Sequence, residues 1–199
     1  MAGHEFFDQV YEGTPPWDIG RPQRAFVQLA NQGAVEGEVL DVGCGTGENA
    51  LHLAGLGHAV VGIDVVPLAI ERARAKALQR GLQAQFLVGD ALRLEVLGRT
   101  FDTVIDSGLF HVFSDEERGR YALSLAGAIR EQGRVHILCF SEREPGDWGP
   151  RRVTERELCD TFRHGWEVER IVRERLETNL GNDVEGWLAT VRRVALRTH

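Results

Sequence analysis

The chain has 199 residues, 43% hydrophobic and 27% charged, which favours one globular domain with a core of its own. Asp and Glu number 30 against 23 Lys and Arg, a formal net charge of −7, and this argues against the broad basic face of a nucleic-acid binder. No basic-then-apolar leader is visible, residues 59–70 are too short and too interrupted by Asp64 and Pro67 to span a bilayer, and Cys44, Cys139 and Cys159 form neither an even set nor a Cys-x-x-Cys pair. Neither a disulfide framework nor a metal site is therefore expected, and a cytoplasmic location is.

Taken in chain order, Glu5 to Tyr11 forms a short amphipathic run, and Gly13-Thr-Pro-Pro-Trp17 must be irregular. Arg21 to Gln32 reads as a helix. Val39 to Val42 is a short strand stopped by Gly43, Asn49 to Leu56 a helix stopped by Gly57, and Ala59 to Ile63 a second buried strand. Pro67 suits the first position of a helix that runs to Gly81. Gln85 to Val88 and Phe101 to Ile105 are the third and fourth strands. Ser114 with Glu117 makes a capping box that opens a helix ending near Gly133, and Arg134 to Phe140 is the fifth strand. A Gly- and Pro-rich loop spans 142–152. Thr154 with Glu157 caps another helix, to about Arg163. Trp166 to Arg175 and Trp187 to Leu196 alternate as a half-exposed antiparallel pair does. Strand and helix alternate first and a terminal pair follows, so the expected fold is α/β: an open, mostly parallel sheet with an antiparallel edge.

The central signal is Asp41-Val-Gly43-Cys44-Gly45-Thr46-Gly47, between a strand and a helix. Glycines there let backbone approach a ligand closely, and the helix N-terminus offers free N–H donors. Asp64 ends the second strand, where a carboxylate can accept both ribose hydroxyls. Asp90 follows the third strand, where one can accept the exocyclic amine of adenine, and Asp106-Ser107 follows the fourth. These groups all fall at carboxyl ends of parallel strands, where open α/β sheets bind ligands.

Val39-Leu-Asp-Val-Gly-Cys-Gly-Thr-Gly47, Val61-Gly-Ile-Asp64, Gly89-Asp90-Ala91 and Phe101-Asp-Thr-Val-Ile-Asp106 resemble successive motifs of class I methyltransferases. The resemblance implies a Rossmann-like seven-stranded sheet with helices on both faces and its last strand inserted antiparallel. It implies S-adenosylmethionine as cofactor, with Gly43, Cys44 and Gly45 along its methionine part, Asp41 at the amino end, Asp64 on the ribose, Asp90 and Ala91 on the adenine, and Val65 flanking the ring. Thr14-Pro-Pro-Trp-Asp-Ile-Gly-Arg21 is similar to a segment of the small-molecule branch related to thiopurine, thiol and halide methyltransferases. By that likeness Trp17 lies over the cofactor and residues 1–35 form a helical cap. Arg21 is a candidate partner for the methionyl carboxylate or an acidic substrate.

The implied reaction is methyl transfer to an O, N or S atom of a small molecule, by a monomer or homodimer without nucleic-acid or membrane partners. His111, just past the fourth strand, is the candidate general base for a hydroxyl acceptor. A catalytically inactive cofactor-binding regulatory protein would read much the same. An NAD(P)-dependent oxidoreductase fits less well, because Glu48 stands where Gly-x-Gly-x-x-Gly needs its third glycine. A nucleic-acid methyltransferase would carry Asn/Asp-Pro-Pro-Tyr after the fourth strand, where this chain has Asp106-Ser-Gly-Leu.

Overall fold

The computed structural model describes residues 2–181 and 183–195, with side chains from residue 6 onward. Seven strands form one sheet: β1 (Val39–Val42), β2 (Val60–Asp64), β3 (Ala84–Val88), β4 (Phe101–Ser107), β5 (Ile129–Phe140), β6 (Trp166–Leu176) and β7 (Val184–Arg193). Their spatial order is β3-β2-β1-β4-β5-β7-β6. The first five run parallel, and β7 lies antiparallel between β5 and β6. Leu196, placed by the sequence at the end of the last strand, lies outside the described residues.

The strands are apolar on both faces because both are covered. Helices α2 (Arg24–Asn31), α3 (Glu48–Gly55) and α4 (Pro67–Arg80) cover one, where Phe26, Leu51 and Ile70 meet Val39, Ile105 and Leu138. On the other, α5 (Asp115–Ala128) and α6 (Glu155–Thr161) pack Tyr121, Leu125 and Leu158 against Leu40, Val104 and Ile137. Each such aliphatic side chain contributes roughly 1.5–3 kcal/mol by leaving water. The remaining helix, α1 (Ala2–Tyr11), lays Phe7 and Tyr11 against Val66, Leu68 and Ala69 at the start of α4.

Local signals set the element boundaries. Pro67 occupies the first turn of α4, and Gly81 ends it in the left-handed region (φ 64°). Both capping boxes form, at Ser114–Glu117 and Thr154–Glu157. Most boundaries shift by three residues or fewer from the sequence reading, such as α2 beginning at Arg24 and β7 at Val184, and one differs more. Helix α5 stops at Ala128 rather than near Gly133, and β5 begins at Ile129, opposite Phe101. The ladder then slips before Thr103 meets Arg134, and Gln132 turns through positive φ (69°) in the bulge. Gly133 marks that bulge, where a Cβ would stand 2.8 Å from the Asp102 carbonyl, and not a helix end.

Candidate cofactor and acceptor site

Between β1 and α3 the backbone turns through positive φ at Gly43, Gly45 and Gly47. A Cβ on Gly45 would stand 2.7 Å from Tyr11 Oη, and one on Gly47 2.8 Å from the Phe86 ring. Glycine is thus required both by conformation and by space. Cys44, buried within the turn, has its thiol pushed well above the usual range by burial, so it packs and does not react.

Three aspartates converge at neighbouring strand ends, and none is ion-paired among the described residues. Asp41 on β1 is fully buried; its Oδ2 accepts the Ala50 N–H of α3 at 3.1 Å, and its Oδ1 has no partner. Asp64 accepts the Gly45 N–H at 2.8 Å and the Val66 N–H at 3.0 Å, so it shapes the turn itself. Asp90 caps the following 3-10 turn through the Leu92 N–H at 2.8 Å, beside half-buried Ala91. Burial is the main cause that raises both Asp41, to about 8, and Asp64; nearby Asp106 and Asp64 push Asp41 further. A crevice of carboxyl groups without cationic partners suits a ligand that brings a cation, and the lone Asp41 oxygen is the acceptor an ammonium would use.

The same shifts predict how the free protein responds to pH. Unfolded, Asp41 loses its proton in the ordinary carboxylate range; folded, it keeps it until about pH 8. Between those values the folded state binds more protons, so stability falls as pH rises, by at most about 1.4 kcal/mol per unit for one group. Asp106, raised to about 7 by burial, adds to the fall up to that pH. His111 and His136, both lowered by burial, act the other way only until the unfolded chain's histidines are neutral, so thermal melts of the cofactor-free protein should show a lower Tm at pH 8 than at pH 7; a rising Tm across that range would contradict the assignment.

Asp106 does not stand where the sequence put it. It is fully buried on the face opposite Asp41, where Tyr121 Oη donates to its Oδ2 at 2.9 Å and the Leu109 and Phe110 N–H groups donate to its Oδ1. It fixes the turn after β4, with each oxygen accepting a hydrogen bond from the protein. Ser107, half-buried, follows it at the end of the strand.

The base reading of His111 is also corrected. Its Nδ1 accepts the Phe140 N–H at 3.0 Å, which places the ring hydrogen on Nε2. Burial, with Arg118 and Arg152 nearby, pushes it down to about 3. A ring whose one lone pair is committed and whose protonated form is this disfavoured does not take a proton from an acceptor.

Arg21, the candidate carboxylate partner, is instead paired with Glu177 at 2.9 Å. Glu177, which follows β6, also accepts the Arg24 N–H at 2.7 Å, and its backbone exchanges two 2.9 Å hydrogen bonds with the Gln23 amide. Asn179 adds bonds to the carbonyls of Pro15 and Pro16. The loop after β6 therefore clasps the segment before α2. Trp17 Nε1 donates to Tyr11 Oη at 3.0 Å, above the glycine turn. Asp18 accepts from Thr46 Oγ1 at 3.0 Å, and Lys76 joins Thr46 to Glu48. Removing the clasp should loosen this segment. Glu177→Ala leaves the Arg24 N–H without its acceptor, a loss of about 1–3 kcal/mol. The expected result is faster proteolytic cleavage within residues 12–22, and cleavage at the native rate would show that the contact is dispensable.

Tyr11, Asp18, Lys76 and Glu177 were not singled out from the sequence. Only Asp18 had a signal, its place in the Pro-Trp-Asp segment. Two open hollows, one of 340 Å³ beside Pro22, Glu48, His52 and Arg80 and one of 170 Å³ beside Glu36 and Arg134, are not lined by residues 41–47.

Solved structures share this architecture closely. The chain aligns with 96% coverage, 42% identity and a TM-score of 0.90 to a structure described as "Conversion of a Disulfide Bond into a Thioacetal Group during Echinomycin Biosynthesis", covering 93% of that chain. A Methanosarcina mazei structure described as a SAM-dependent methyltransferase has the same fold at 21% identity and TM-score 0.72, with 83% and 97% of the two chains covered. The sheet and the glycine turn thus define the class I methyltransferase fold. Residues 39–133 match the family model "Methyltransferase domain". A 2-heptyl-1-hydroxyquinolin-4(1H)-one methyltransferase from Mycobacteroides abscessus is 37% identical over 186 residues, 88% of this chain and 82% of that one. A probable thiol methyltransferase from Arabidopsis thaliana is 29% identical, over 71% of this chain and 64% of that one. The chain belongs to the S-adenosylmethionine-dependent methyltransferase family. Consistent with that, the position of a dinucleotide fold's third glycine is taken by Glu48, whose carboxylate is bound by Lys76 and Arg80 at 2.8 Å. Among the described residues no helix is long and apolar enough to cross a membrane.

Proposed function

We propose that this methyltransferase acts on a small, largely apolar aromatic or thiol compound in the cytoplasm. Relatives that act on a hydroxyquinolone and, in the plant case, a thiol support this acceptor class. Exposed Trp17, Val112, Trp148 and Leu180, all on segments outside the sheet, supply apolar surface for it. Buried, unbridged Cys44 and Cys139 suit a reducing compartment.

The observation that carries the cofactor assignment is the buried, unpartnered Asp41 oxygen beneath a glycine turn. In this reading Asp41 holds the ammonium, Gly43 and Gly45 line the methionyl part, and Asp64 accepts the ribose hydroxyls with the lone pairs its N–H donors leave free. Asp90, Ala91 and Val65 border the adenine. Residues 1–35 cap the site, with Trp17 and Tyr11 excluding water. When bound, the cofactor supplies a methyl group already activated on a positively charged sulfur. The protein's share is alignment, which in favourable systems is worth roughly 7–11 kcal/mol of barrier.

The test is incubation with isotope-labelled S-adenosylmethionine and a mixed library of hydroxyquinolones, thiophenols and phenols, with products identified by mass. A labelled methylated product is expected. Label appearing only on peptide- or nucleic acid-sized acceptors would refute the small-molecule reading.

A further inference from the structure

His111 lies in the 3-10 turn Phe110–Val112, its ring edge-on to Phe140 with centroids 4.9 Å apart. With Nδ1 taken by the Phe140 N–H, the hydrogen sits on Nε2. That nitrogen has no protein partner among the described residues, yet it is not one of the sealed polar atoms. It lies beside Gly108, 3.6 Å from where a Cβ would stand. The turn therefore presents a fixed N–H donor at the end of β4, next to Leu109, which packs on Gly43 of the cofactor turn.

Two guanidinium groups stand around it. Arg152 lies over the rings of Phe140 (5.3 Å) and Trp148 (5.6 Å), and its N–H groups go to five backbone carbonyls between Glu144 and Pro150. Those partners are neutral, so no carboxylate cancels its charge. Arg118, 2% exposed, lies over Phe110 at 4.7 Å. One of its nitrogens meets Glu157 at 3.0 Å, while Nε and Nη2 are buried without partners. Most carboxylates on the same elements are engaged, Glu142 by Trp187 Nε1, Glu144 by the Glu185 N–H, Asp106 by Tyr121 and Asp115 by Arg151 and Arg118, while Asp147 of the Arg152 loop is exposed to water.

A fixed donor and a cation bound only to backbone carbonyls, with the buried carboxylates turned to other partners, form a receptor for negative charge. We infer that the acceptor is bound as a preformed anion, a phenol, N-hydroxy compound or thiol acidic enough to ionise in water, with its charged atom on the His111 Nε2–H. The inference rests on the small-molecule reading above. In the transfer step a lone pair of the anion forms the bond to the methyl carbon, and the carbon–sulfur bond breaks with its pair left on sulfur. The negative and positive charges cancel, and the proton has already gone to water. Weakly acidic alcohols are excluded as acceptors.

The probe pair is 4-nitrophenol and its neutral isostere 4-nitrotoluene, titrated from pH 5.5 to 8.5 into the full chain saturated with adenosylhomocysteine. The phenol should bind about tenfold or more tightly once ionised, since a nearby opposite charge typically shifts an acid by about 1–3 units, and the toluene should show no pH trend. Two variants locate the effect. Arg152→Met removes the charge, while His111→Asn keeps an acceptor for the Phe140 N–H and withdraws the Nε2–H; each should lose several-fold of the preference. Phenol affinity that is flat or falls with pH, no phenol binding at all, or a preference intact in both variants would overturn the inference. Calorimetry of adenosylhomocysteine on the same sample separates the cases, because failure there counts against the cofactor site and not against the anion receptor.

Discussion

Asp41→Asn is expected to weaken S-adenosylmethionine binding about 10- to 100-fold while leaving the melting temperature unchanged or higher. Asp41 Oδ1 is buried and has no protein partner, and the group is raised to about 8, so in the free protein at neutral pH it is held mainly as the acid. The ligand's ammonium replaces that proton. A hydrogen bond to a charged group is worth about 1.5–3 kcal/mol, and about 1.4 kcal/mol is a factor of ten in affinity. Asparagine keeps the oxygen that accepts the Ala50 N–H, 3.1 Å away in the native chain. It also removes a group whose ionisation its neighbours Asp64 and Asp106 disfavour. Calorimetry and a thermal melt on the same preparation read both halves. Equal affinity in the variant would remove Asp41 from the cofactor site, and a large drop in Tm would make it a structural residue.

Gly47→Ala is expected to destabilise the fold by about 2–5 kcal/mol. Gly47 holds φ at 85° as it caps α3, and an alanine Cβ there would stand 2.8 Å from Phe86 and 3.0 Å from Ala73 Cβ. The left-handed conformation costs a non-glycine residue about 1–2 kcal/mol, and overpacking commonly adds about 1–3. For a chain of this size that lowers Tm by roughly 4–20 °C. Phe86 sits on the neighbouring strand β3 and Ala73 in the middle of α4, so neither can step aside without moving its own element. A variant melting within a degree or two of the native protein would show that the turn is softer than its contacts imply.

Features written in short stretches of chain were legible in the sequence. The five parallel strands, both capping boxes, and Pro67 and Gly81 at the ends of α4 follow from period, caps and turn chemistry acting within a few residues, whereas the insertion of the terminal strand rests on the family resemblance alone. What the sequence could not show lies across distance. His111 looks like a base until Phe140, 29 residues on, takes its Nδ1. Arg21 looks like a free cation until Glu177 pairs with it. Asp106 matches the other strand-end aspartates by position, and only Tyr121 and the turn it caps show that it faces the opposite side of the sheet and holds that turn. Gly133 has the composition of a helix stop and the geometry of a bulge, because strand pairing to Phe101 outweighs helix continuation past Ala128.

The clasp between Gln23 and Glu177 joins residues 154 apart along the chain. Contacts of such separation form late, since a long loop must close before they repay its entropy. On the ribosome, a growing chain that has just completed β5 already owns the glycine turn, its aspartates and the contacts that hold α1 to α4 and Asp18 to Thr46, but lacks the clasp on the segment before α2. The clasp is thus the last fastening this segment receives, and emergence of the C-terminal hairpin sets when it closes.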